Sequence, residues 1–392
     1  MNTNILLTGG RAPVTLDLAR LLSQAGYKVF IAESLKHHLC SYSKAVTKNF
    51  LVPPPRQNPQ AYISALIDII KQENIGLLIP TCEEIFYIAA GLNELSLFCQ
   101  VLTEPLEKLN ILHNKYEFIC LVEKIGLLTP KTWLIKTPQD LQQVLNSSTL
   151  QKIVLKPVYS RFASHVQIIT KSVEKITHLD IHTNRPWVAQ EFISGKHYCS
   201  YTMAHQGQIK AMAVYPTIFT AGKGSCVYFS AVEHPKICQW VTTFVKSIQF
   251  TGQIAFDFIE TSTGDLYPLE CNPRAISAIH LFQKSDQLEQ AFFNITDKII
   301  QPKSQQSSMI AMAMIIYSLL PAILSNQLAD WLKKFINSRD VIFRLSDPLP
   351  SLHIWIILLQ FLQMSLQKGI SLQQASTQDI EWDGEEITQL CT

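Results

Sequence analysis

Hydrophobic spacing divides the chain into a regular first third and a more broken remainder. Residues 4–8, around the apolar run Ile5–Leu7, read as a buried strand. Residues 13–25 place Leu16, Leu18, Leu21 and Leu22 on a helical pattern that stops at Gly26, and residues 27–32 read as a second strand. That is a βαβ unit. A further helix over 60–72 leads into a strand over 75–79, so the chain up to about residue 110 is predicted to be an open parallel sheet of Rossmann-like type. Pro53, Pro54 and Pro55 make a stiff surface connection, and a helix over 114–124 ends at Gly126, ahead of Pro130 and a strand over 132–135. From there the runs shorten. Residues 153–156, 187–193, 198–204, 209–215, 252–259 and 266–270 read as short strands separated by turn residues, which predicts an antiparallel α+β arrangement. Beyond about residue 301 the pattern is mixed and mainly helical, and it closes on a polar segment over 379–386. No internal repeat or low-complexity tract interrupts it.

Composition narrows the class. A chain of 392 residues suggests two to four folding units with room for clefts between them. Hydrophobic residues make up 47% and charged residues 16%, which excludes a disordered chain. A net charge of +2 supplies no overall field, so nucleic acid is not indicated as a partner, whereas a small anionic ligand needs only local positive charge. The nine cysteines are odd in number and never spaced C-x-x-C, which argues against a disulfide framework or a zinc site and fits reduced thiols in a cytoplasm. The N-terminal apolar run lacks a basic flank and a cleavage site, so no export signal is predicted. The two most apolar stretches, 309–320 and 353–364, fall short of the roughly 18–20 residues of a membrane span. The first apolar run ends at Pro321 and the second is interrupted by Gln360 and Gln363, so buried helices are predicted for both, with membrane attachment as the alternative.

The loop Gly9-Gly10-Arg11-Ala12-Pro13 does not match the G-x-G-x-x-G dinucleotide fingerprint. Open α/β sheets nevertheless bind ligands at strand C-terminal ends, here residues 9–11 and 81–84. The equal alternative is that Arg11 caps a turn and Glu83 and Glu84 are solvated charges. Stronger chemistry lies downstream. Asp257 sits in an apolar strand sequence and Glu270 ends a second one, joined by a turn over 261–265. A hairpin makes the two carboxylates cross-strand neighbours and puts Asn272 on the same face as Glu270. Two carboxylates and an amide oxygen are the hard ligands Mg²⁺ prefers when phosphates and water complete its shell, and Arg274 then reaches a phosphoryl group as a bidentate donor. An ordinary hairpin with an Asp–Arg ion pair is the plain alternative.

The segment Glu270-Cys271-Asn272-Pro273-Arg274, with Lys115 after Asn114 and Lys156 in Val154-Leu155-Lys156-Pro157 upstream, resembles the ATP-grasp superfamily over about residues 1–300. The likeness is to its carbamoyl-phosphate-synthase-like and carboxylate–amine ligase branches. The resemblance implies an α/β plus α+β fold: a Rossmann-like domain over 1–112, a first ATP-grasp subdomain over 113–194, a second with the metal site over 195–300, and a C-terminal region over 301–392. It implies ATP with Mg²⁺, or Mn²⁺, held by Asp257, Glu270 and Asn272, with Lys115 and Lys156 on the nucleotide and Arg274 steadying the reacting groups. Gln190, Glu191, Phe192 and Ile193 resemble the hinge whose backbone pairs with adenine, after which Gly195 turns the chain; an ordinary buried strand is the alternative. Lys223, in the basic loop 221–225, is expected to approach the phosphates, or else to lie in a plain surface loop.

Two positions depart from the family. Residues 158–165 contain no glycine where relatives carry a glycine-rich lid, so Arg161, with Ser160 and Ser164, is expected to replace amide donors. His197 stands where relatives often bind ribose through glutamate, and a neutral imidazole accepts one hydrogen bond there. Solvent exposure of Arg161 and core packing of His197 are the alternatives. The implied activity is ligation of a small carboxylate to an amine or amino acid through an acyl-phosphate-type intermediate. A nucleotide-binding protein without turnover and a kinase-like enzyme are the competing classes, and the resemblance allows a homodimer.

Overall fold

The computed structural model describes residues 3–387 apart from 162–164, 171–178, 223 and 304. Five parallel strands build the first unit: β1 (Asn4–Thr8), β2 (Val29–Glu33), β3 (Lys48–Leu51), β4 (Ile75–Ile79) and β5 (Gln100–Val101), in the order β3-β2-β1-β4-β5. Ile5, Leu6 and Leu7 of the central β1 are fully buried, as the continuous apolar run requires of a strand covered on both faces. The helix Pro13–Gln24 buries the expected Leu16, Leu18, Leu21 and Leu22, and Pro59–Gln72 starts on Asn58, whose side chain accepts from Ala61 N. This order puts the ends of β1 and β4 side by side, so loops 9–12 and 81–84 meet there.

The second unit is a four-stranded antiparallel sheet of β6 (Thr132–Ile135), β7 (Lys152–Pro157), β8 (Gln167–Thr170) and β9 (Trp187–Glu191), in the order β6-β9-β7-β8. It carries a small core of its own, with Ile135, Leu141, Val144, Ile153, Leu155, Trp187 and Ala189. The third unit is built on β10 (Lys196–His205) and β11 (Gln208–Pro216). After them come the short strands β12 (Thr220–Ala221), β13 (Ser225–Cys226) and β14 (Tyr228–Ser230), then β15 (Gly252–Glu260) and β16 (Leu266–Asn272), and its main sheet runs β11-β10-β15-β16. The helix Pro235–Ser247 covers that sheet with Ile237, Trp240, Val241, Phe244 and Val245. Phe118, Phe244 and Phe256 belong to one apolar cluster with Leu6 and Leu78, so the third unit and the parallel sheet share a core that the second does not join.

The C-terminal region adds β17 (Ser307–Met309), β18 (Arg339–Asp340) and several helices, and it corrects one expectation. The helices Ala311–Leu324 and Ile354–Lys368 form, but they are not buried. Met314, Ser318 and Ala322 of the first and Ile357 of the second turn inward, while Leu324 (77% exposed), Trp355 (62%) and Leu366 (75%) face solvent. Sequences this apolar show no polar stripe to mark an outer face, so hydrophobicity alone did not distinguish a covered helix from a half-covered one. Among the described residues no helix is long and apolar enough to cross a membrane.

Candidate active site

The β15–β16 hairpin sets the centre of the site. Asp257 is the cross-strand partner of Glu270, and Asn272, opposite Ala255, follows two residues along β16 on the same face. Register shifts just beyond Asp257, where a bulge restarts the pairing at Phe258 and Pro268. Arg274 leaves the strand and donates from Nη2 to Asn272 Oδ1 at 3.2 Å and from Nη1 to the carbonyl of Ala275 at 3.3 Å. Its Nη2 also lies 3.7 Å from Glu83 Oε1 at the end of the parallel sheet.

Two buried lysines face this hairpin. Lys115 opens the helix Lys115–Lys124, which Asn114 caps by accepting from Tyr116 N and Glu117 N. Its Nζ donates to the carbonyl of Ser160 at 3.1 Å and sits 3.6 Å from Glu270 Oε2. Lys156 reaches from β7 across to the third unit, donating to Gln190 Oε1 at 3.0 Å and to the carbonyl of Leu269 at 3.2 Å. Burial lowers the Lys156 ammonium to about 8. Gln190 is held in turn by donating from Nε2 to Thr132 Oγ1 at 3.0 Å.

Glu191, Phe192 and Ile193 then carry the chain out of β9 along the same cavity, with Glu191 N donating to the carbonyl of Lys131. At Gly195 a Cβ would stand 2.1 Å from the carbonyl oxygen of Glu260, so only glycine lets the hinge cross against β15. His197 follows at the cavity edge, more exposed than core packing would leave it.

These groups line one cavity of about 850 Å³, near the upper end of the usual range for small-molecule sites. Both loops expected from the parallel sheet reach it, through Arg11, Ala12, Thr81, Cys82 and Glu83. The alternatives weighed for these loops do not hold in the structure. Arg11 is buried and paired with Glu33 and Asp379 rather than capping a turn. Glu84 is buried too, accepting from Thr8 Oγ1 at 2.6 Å and from the amides of Thr81 and Cys82.

Arg161 also differs from expectation. Its Nε donates to Glu83 Oε2 at 2.5 Å, Nη1 to Asp383 Oδ1 at 2.6 Å and Nη2 to the carbonyl of Trp382 at 2.7 Å. In this arrangement the guanidinium ties the C-terminal segment to the loop after β7 instead of presenting its donors as a replacement lid. Lys223 and Ser164 lie outside the described residues. Among the cavity residues not legible in the sequence is His113, buried and held well below the ordinary imidazole range by burial, which packs its ring against Phe86, Tyr159 and Trp382. Nothing in its local pattern marked it.

The donor set fits a divalent cation shared with a polyanion. Among the described residues no three His, Cys, Asp or Glu side chains gather to hold a metal alone. The free carboxylate pair is strained electrostatically. Withdrawal from water and the adjacent Glu270 push Asp257 up to about 7, whereas Lys115 and Lys156, working against burial, hold Glu270 at about 2. The native protein therefore keeps a proton on the pair that an unfolded aspartate releases in the ordinary carboxylate range. Its contribution favours the folded state at low pH and is lost as pH rises towards 7. Between pH 5 and 7 the thermal midpoint of the chelator-treated wild-type protein is expected to fall relative to that of Asp257→Asn, a comparison in which the opposing titration of the buried histidines, His113 among them, cancels. Parallel slopes in the two proteins would contradict the assignment.

Residues 113–278 match the family model of the ATP-grasp domain. No curated protein sequence matches the chain. Among solved structures, N5-carboxyaminoimidazole synthetase from Staphylococcus aureus complexed with ADP aligns with a TM-score of 0.66 at 13% identity, covering 83% of this chain and 86% of that one. L-amino acid ligase from Bacillus licheniformis aligns at 0.56 and 17% identity, covering 71% and 69%. The biotin carboxylase domain of Hydrogenobacter thermophilus 2-oxoglutarate carboxylase, crystallised with MgADP and bicarbonate, aligns at 0.59 and 12% identity, covering 78% and 72%. At these identities the likeness is one of fold.

Proposed function

We propose that the protein is an ATP-dependent ligase that activates a small carboxylate and passes it to an amine or amino acid, releasing ADP and phosphate. The observation that carries this reading is the Asp257–Glu270 pair facing Lys115, Lys156 and Arg274 across one cavity. Two adjacent carboxylates repel a free triphosphate, so the pair suits a nucleotide that arrives with a divalent cation. Mg²⁺, held by Asp257, Glu270 and Asn272, would neutralise phosphate charge. The names of the structural neighbours, a synthetase, an amino acid ligase and a carboxylase domain, support the same class.

The protein's own groups then have defined tasks. Lys156 and Lys115 set positive charge against the phosphates, and Gln190 and the Ser160 carbonyl fix where those charges stand. Residues 190–193 run along the adenine end, and His197 offers one acceptor to the ribose. Arg274 presents its fork to the acid. In the reaction a carboxylate oxygen bonds to the γ-phosphorus as the bond to ADP breaks. The amine nitrogen then bonds to the acyl carbon, phosphate leaves with that carboxylate oxygen, and the amine gives up a proton. The unbridged cysteines among the described residues fit a reducing, cytoplasmic setting.

An ADP-release screen of purified protein with Mg²⁺, over amino acids crossed with small carboxylates, tests the reading. ADP and phosphate released only when acid and amine are both present support a ligase. A phosphorylated acid accumulating without amine would assign a kinase instead, and nucleotide binding without ADP release across the screen would assign a binding protein.

A further inference from the structure

The polar segment that ends the described chain is docked into the site. Asp379 accepts from Arg11 Nη1 and Nη2 at 2.6 and 2.7 Å and from Ser34 Oγ at 2.5 Å. Arg56 lies 3.1 Å from Asp383 and 3.2 Å from Glu385, and Tyr87 donates to the carbonyl of Glu381 at 2.6 Å. Trp382, 2% exposed, stacks on Phe86 and packs edge-on against Tyr159. Gly384 has φ +84 and lies so close to Tyr159 that a Cβ would stand 2.6 Å from its ring, which leaves room only for glycine. Four carboxylates within residues 379–385 thus meet Arg11, Arg56 and Arg161, contributed by the parallel sheet and by the loop after β7.

We propose that residues 379–385 are a strap that positions loop 157–161 over the phosphate end of the cavity. Asp383 and Trp382 are its positioning residues, acting through Arg161. Two lines of contact carry the effect. Arg161 Nε fixes Glu83, whose other oxygen lies 3.7 Å from Arg274. Next to Arg161, the Ser160 carbonyl holds the Lys115 ammonium, itself 3.6 Å from Glu270. Both cations therefore stand where they do because this loop is held, and the strap supplies the order that a glycine-rich lid would otherwise have to gain on binding. Ser376, Thr377 and Ile380, leading into the strap, line the same cavity, so substrate and strap share a wall. This inference rests on the ligase reading for what the positioned groups do.

Asp383→Ala is the test, because the Asp383 side chain is 43% exposed and its loss leaves the core intact. Hydrogen exchange in nucleotide-free protein is expected to quicken about tenfold in peptides covering 157–161 and 379–387. With Mg-ATP, kcat/KM for ATP in ADP release is expected to fall by about tenfold or more while adenosine affinity stays within about twofold. Asp383→Glu should recover most of both. Faster exchange with unchanged kcat/KM would overturn the proposal, as would unchanged exchange. If the wild-type protein releases no ADP with any acid and amine, the ligase reading fails instead, and the exchange of loop 157–161 still decides whether the strap holds it.

Discussion

Glu270→Ala is expected to lower ADP release by about 10³-fold or more at saturating Mg²⁺, several kcal/mol of transition-state stabilisation. Glu270 has the largest effect because three other groups are arranged around it: Asp257 directly across the hairpin, Lys115 at 3.6 Å, and Lys156, whose ionisation it also supports. Removing it takes away the oxygen common to the proposed cation and the lysines, and leaves two buried ammonium groups facing each other with less counter-charge. Adenosine binding at the hinge should survive, since residues 190–193 lie outside that cluster. Near-normal ADP release from the variant would remove the metal assignment.

Lys156→Met should weaken ATP binding by about 100-fold, because a charge-assisted contact contributes roughly 1.5–3 kcal/mol. The substitution keeps most of the buried stem and removes the charge together with the donors to Gln190 Oε1 and the carbonyl of Leu269. A second signature follows from the same residue. Burial holds the free ammonium at about 8, so wild-type protein above pH 8 must take up a proton to meet the phosphates with a positive charge. ATP affinity is accordingly expected to fall as pH rises through 8 towards 10. Calorimetry at pH 8.5 in buffers of different ionisation enthalpy should register proton uptake in the wild type and none in Lys156→Met. Equal affinity, or equal proton uptake, in the two proteins would contradict the role given to Lys156.

Local chemistry made the hairpin readable. A period of two and a short turn bring Asp257 to the neighbourhood of Glu270 on the facing strand, but the turn's own register would pair it with Leu269, and the bulge between Asp257 and Phe258, which no pattern in the sequence marks, sets it directly opposite Glu270. The parallel sheet was legible from its apolar centres: Ile5–Leu7 of β1 and Leu77–Ile79 of β4 are buried and show as short apolar runs in the sequence. Short or exposed elements were not. Three of the four residues of β3 are exposed and β5 has two residues, so neither has a periodicity to detect. What decides the partners of Arg161 lies 222 residues away at Asp383, and the Arg11–Asp379 pair spans 368. No window along the chain brings such groups together. The polar segment 379–386 was visible as polar, but only the fold shows that its carboxylates face arginines rather than water.

The most direct test follows one oxygen atom. Once the ADP-release screen has identified an acid and an amine, the acid is supplied with ¹⁸O in both carboxylate oxygens and the phosphate is analysed by mass spectrometry. Activation through an acyl phosphate predicts one ¹⁸O in each phosphate released, one ¹⁸O left in the amide, and ADP in equal amount. Phosphate free of label, or AMP and pyrophosphate in place of ADP and phosphate, would contradict the account.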